Sequence, residues 1–85
     1  MKLLVKEEEN EGLASFLGQS VTLYCMNYIY TGTLTGINDS CVKLEDAAVV
    51  YETGPYDSNT WKDAQKLPAA WYVNVGTIES FGKLK

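Results

Sequence analysis

Val21, Leu23 and Cys25 fall on one parity between Gln19 and Asn27. Apolar residues recurring every second position give an extended segment one apolar face, so residues 19–27 are predicted as a first strand. Tyr30, Thr31, Gly32, Thr33 and Leu34 predict a second strand at 30–34, after a turn at Asn27-Tyr28. Asn38-Asp39-Ser40 then forms a polar turn whose side chains can hydrogen-bond their own backbone. Cys41 opens a third strand over 41–53, in which Val42 and Leu44 share one parity while Ala47, Val49 and Tyr51 share the other. That change of parity around Glu45-Asp46 predicts a bulge or bend, and Gly32 and Gly36 inside a strand predict the same for its neighbour. Residues 69–75 and 77–81 are predicted as fourth and fifth strands, joined at Gly76. Ahead of the strands, Leu13, Phe16 and Leu17 at helical spacing predict a short helix with Asn10 as its cap and Gly18 as its stop. Between the third and fourth strands, Gly54-Pro55-Tyr56-Asp57-Ser58-Asn59 is the strongest turn signal of the chain. After it Thr60-Trp61-Lys62-Asp63 has the spacing of a capping box, so one or two helical turns are expected before Pro68.

Gly18-x-x-Val21-x-Leu23, Tyr30-x-Gly32-x-Leu34, the polar loop and the terminal Leu44 resemble the first motif of the Sm/LSm/Hfq family of RNA-associated ring proteins. Val73-Asn74-Val75-Gly76-Thr77-Ile78 resembles its shorter second motif. The resemblance covers residues 13–44 and 69–81. It implies a mostly β domain over 1–85: a strongly bent, five-stranded antiparallel barrel of the Sm-like (SH3-like) kind, behind a short N-terminal helix whose Phe16 and Leu17 act as a lid. Residues 1–10 would be an N-terminal arm, and 54–68 an insertion between the third and fourth strands. The resemblance also implies a closed homo-oligomeric ring in which the fourth strand of one copy pairs with the fifth of the next. Trp71, Tyr72, Val73, Ile78 and Phe81 would lie at that contact. Asn38, Asp39, Ser40, Asn74 and Gly76 would surround a pore that takes short single-stranded U- or A-rich RNA. Three departures weaken the RNA chemistry. Asn38 stands where the family usually has aspartate, Ser40 stands where Hfq-like members carry a stacking aromatic, and Asn74-Val75 replaces an arginine-glycine or lysine-histidine pair. A ring that has lost RNA binding and serves as a structural or protein-interaction module is the alternative, and Tyr56 and Trp61 in the insertion are its candidate partner surface.

Composition sharpens that choice. The 85 residues carry seven basic and eleven acidic side chains, for a net charge of −4. Every basic residue is a lysine, so the bidentate phosphate and guanine contacts of arginine are not on offer. A general phosphate-neutralising surface is therefore disfavoured. A chain this short buries only ~60–65% of its extended surface, which favours association with copies of itself. Catalysis finds little material: there is no histidine, no ligand spacing for zinc or iron, no phosphate loop and no base assignable to Ser20, Ser40 or Ser58. A binding protein without cofactor or metal is expected, not an enzyme. Cys25 and Cys41 sit within strands and read as inert, partly buried thiols, with a disulfide or a functional thiol as lesser alternatives. The acidic run Glu7-Glu8-Glu9 reads as a solvated arm. No apolar run is long enough for a signal peptide or a membrane span, so a cytoplasmic setting is expected.

Overall fold

A computed structural model describes residues 4–5 and 11–85; the acidic run at 7–9 and the expected cap Asn10 lie outside the described residues. The chain is mostly β. Among the described residues six antiparallel strands follow a short 3₁₀ helix, Leu13–Phe16: β1 Ser20–Cys25, β2 Ile29–Ile37, β3 Cys41–Glu52, β4 Asp63–Lys66, β5 Trp71–Asn74 and β6 Ile78–Gly82. They form one sheet in the order β4-β3-β2-β1-β6, with β5 also pairing β3. The sheet does not close on itself, so the five-stranded closed barrel expected from the sequence becomes six strands with open edges. The helix begins at Gly12 without a side-chain cap and stops at Gly18, whose φ of 81° suits glycine. Among the described residues no helix is long and apolar enough to cross a membrane.

β3 is the hub. Its first half pairs β5, from Cys41 opposite Asn74 to Leu44 opposite Trp71, and its second half pairs β4, from Ala48 opposite Lys66 to Glu52 opposite Asp63. One strand serves both because it bends between them. Against β2 the register steps from Thr31–Ala48 to Thr33–Glu45, leaving an extra residue on β3, and Asp46 there adopts a φ of 51°. This is the bulge that the parity change predicted. Gly32 faces it, where a Cβ would lie 3.0 Å from the Glu45 carbonyl oxygen and 3.2 Å from the Ala47 Cα. The bend lets Val21 and Leu23 of β1, Leu34 of β2, Val42, Leu44 and Ala47 of β3 and Val73 of β5 meet in one buried core. Burial of these side chains, worth about 1.5–3 kcal/mol for each of the larger ones, holds the curl.

Three expectations are corrected by the packing. Residues 63–66 form a strand, not helical turns, because the β3 edge offers backbone partners that a one-turn helix, with its costly nucleus, cannot match. Beyond the bulge burial departs from the expected parity: Ala47, Ala48 and Val50 are buried, while Val49 is half-buried and Tyr51 exposed, because β3 is packed on both faces where it bends. Leu17 is exposed and is no lid; Leu13 and Phe16 pack on the core, with Phe16 edge-on to Phe81 at 6.1 Å between centroids. The insertion is tied down at its ends. Lys85 Nζ donates to the Pro55 and Thr60 carbonyls at 2.7 and 2.9 Å and lies 5.2 Å from the Trp61 ring centroid. Tyr24 and Tyr56 hydroxyls meet at 3.4 Å, and that contact, with some burial, raises the Tyr24 pKa.

Candidate functional site

The turn between β2 and β3 is built by Asn38. Its Oδ1 accepts the backbone N–H groups of Ser40 and Cys41 at 2.7 and 2.9 Å, while its own N–H donates to the Cys41 carbonyl at 3.0 Å. The side chain thus organises its own loop. Only the amide NH₂ remains to meet a ligand. Replacing Asn38 by alanine is expected to lower the unfolding free energy by about 1 kcal/mol, while Asn38→Asp keeps the acceptor and stays closer to the original; urea unfolding checks both.

The second motif comes to the same end of the molecule. Val75 N–H donates to the Ser40 carbonyl at 2.9 Å, and Asn74 lies opposite Cys41 in the β3–β5 pair. Asn38, Asp39, Ser40, Asn74 and Gly76, separated by some thirty residues of chain, therefore form one exposed patch. Thr77 Oγ1 donates to the Asn74 carbonyl at 2.8 Å and shapes the 3₁₀ turn Val75–Thr77. Asn38, Asp39 and Val75 border a cleft of 630 Å³ that continues to Val5, Leu13 and Phe81.

Two residues that sequence reasoning did not place here complete the patch. Lys43 lies opposite Tyr72 in the register, one step of two along from the Cys41–Asn74 pair, so all four side chains leave the same face. Lys43 and Tyr72 share a 170 Å³ pocket with Gly36, Asn38 and Cys41. Tyr72 is 61% exposed. Neighbouring side chains on paired strands can be found only once the register is known, and that depends on the bulge. Of the residues expected at a subunit contact, Val73 is buried in the core, so only its backbone can take part; Ile78 is half-buried against the core, and Trp71, Tyr72 and Phe81 are exposed. The insertion does not cover the β5 edge.

A second cluster sits where β1 turns into β2. Tyr28 and Tyr30 rings lie 6.2 Å apart at 60°, and Tyr30 pairs with Leu23 on one side and Val49 on the other. Tyr30 holds its proton above the usual tyrosine range: burial of its hydroxyl is the main cause, charge on Cys25 or Tyr28 adds to it, the indole N–H of Trp71 opposes it, and Tyr51 contributes last. Cys25 and Cys41 are free and half-buried; burial pushes the Cys25 thiol up, and the nearby Thr77 hydroxyl acts the other way. Among the described residues no three His, Cys, Asp or Glu side chains gather as a metal ligand set. Comparison with protein-family models, curated proteins and solved structures gave no significant match.

Proposed function

We propose that this chain is an Sm-like binding module, not an enzyme, that assembles with copies of itself and takes short single-stranded U- or A-rich RNA weakly at the Asn38–Asn74 end. The observation that carries this reading is the grouping of Tyr72, Lys43, Asn38 and Asn74 on one face. A base stacked on Tyr72 recovers the aromatic contact that Ser40 lacks, Lys43 supplies a cation in place of the family's arginine, and the amides of Asn38 and Asn74 can read base edges. Asp39 beside them repels phosphate, which keeps the affinity of one copy low. Repetition around a closed assembly would restore it through avidity. The edges of β5 and β6, unpaired among the described residues, suit that assembly, because edge pairing uses backbone groups in the sheet plane and leaves Tyr72 standing out of it.

A second reading, an assembly that binds a protein and no RNA, is favoured by the Asn38 oxygen being already engaged. Native mass spectrometry at low salt, with and without short oligouridine and oligoadenine, separates the two. The RNA reading expects a closed oligomer that carries RNA, with Tyr72→Ala or Lys43→Ala lowering affinity about tenfold, in line with ~1–3 kcal/mol per stacked base. A closed oligomer that ignores both RNAs leaves the protein-binding reading. A monomer in every spectrum overturns the assembly.

A further inference from the structure

We propose that the aromatic end formed by Tyr28, Tyr30, Tyr51 and Trp71 receives the cationic side chain of a protein partner, a lysine or arginine seated against the ring faces. This site uses no residue of the RNA patch and stands whether or not RNA binds.

The strand register assembles it. Ile29 pairs Val50 and Tyr30 pairs Val49, so Tyr28 and Tyr51, one step further along each strand, project from the same face as Tyr30. Trp71 enters the cluster from β5, opposite Leu44. Tyr28 is 53% exposed, Tyr51 55% and Trp71 37%, while Tyr30 is half-buried beneath them. Three exposed rings held on paired strands around a half-buried one form a surface that already exists before binding, so little ordering is needed when something settles on it.

Charge selects the occupant. Electron-rich ring faces of tryptophan and tyrosine attract a cation. The chain uses this chemistry on itself at Trp61, which Lys85 covers. At the Trp71 cluster no described lysine does the same. Lys62 and Lys66 are paired with Glu52 and Asp46, Lys43 lies in the pocket with Asn38, and Lys83 borders a different cleft beside Tyr24. The chain's net charge of −4 draws a basic partner in and repels an anionic one.

The test is a titration of the full chain, followed by amide and indole N–H resonances, with three capped pentapeptides that carry arginine, lysine or citrulline between glycines, and with a neutral oligoproline. Shifts centred on Trp71, Tyr28 and Tyr51 with the arginine and lysine peptides, about tenfold weaker with citrulline, support the proposal. Tyr28→Leu with Tyr51→Leu is expected to abolish them, while Tyr28→Phe with Tyr51→Phe keeps the ring faces and retains binding. Equal response to citrulline, a stronger response to oligoproline, no response, or shifts elsewhere on the acidic surface would each overturn it. So would a change in native mass on leucine substitution, which would show the cluster to be covered by a second copy.

Discussion

Leu44→Ala is expected to lower the unfolding free energy by about 2–5 kcal/mol, the cost of lost transfer energy together with the cavity left behind. Leu44 is fully buried between three strands: it pairs with Leu34 of β2 and with Trp71 of β5, and the bulge begins one residue later. Collapse around the missing atoms is restrained from all three directions. A domain of 85 residues has about 4–13 kcal/mol in total, so the loss is a large share of it. Urea unfolding followed by tryptophan fluorescence reads the effect as a lower midpoint at unchanged slope. A loss below about 1 kcal/mol would mean that β5 is not docked on the core as described.

Gly32→Val is expected to cost about 3 kcal/mol, at the upper end of what overpacking imposes. A Cβ there meets backbone, the Glu45 oxygen at 3.0 Å and the Ala47 Cα at 3.2 Å, and also the Leu44 Cβ at 3.2 Å. Backbone cannot step aside as a flexible side chain does, so the bulge at Asp46 would have to open. Gly36→Val is the control. Its Cβ would meet only the Lys43 Cβ at 3.5 Å, an ordinary contact, and β-branching favours a strand, so a change within about 1 kcal/mol is expected. Equal effects of the two substitutions would remove the steric argument for Gly32.

Both substitutions bear on features that differ in how far the residues announce them. Alternation at Val21, Leu23 and Cys25 and at Val42 and Leu44 announces β1 and the first half of β3, since each strand turns one apolar face to the core. The parity change at Glu45-Asp46 announces the bulge, and Gly18 the end of the helix. Residues 63–66 announce nothing of the kind: Asp63, Ala64, Gln65 and Lys66 are all exposed, so no burial pattern marks them, and they become a strand only because an unpaired β3 edge lies alongside. Local capping chemistry at Thr60 pointed to a helix and lost to that edge.

The candidate site divides in the same way. Asn38 as the organiser of a turn is legible from its residue type and its place between two strands, and so is an aromatic-rich β5. Two pairs of neighbours are not: Lys43 with Tyr72, and Tyr28 and Tyr30 with Tyr51 and Trp71. Each joins residues more than twenty positions apart, and a shift of one residue in register would turn either pair to opposite faces. Residue order alone thus specifies strands, turns and the bend, because these depend on side chains a few positions apart and on the period of burial. Which side chains share a surface was decided by register and curl, because those are set by the core as a whole, through the bulge opposite Gly32 and the docking of β5 on Leu44.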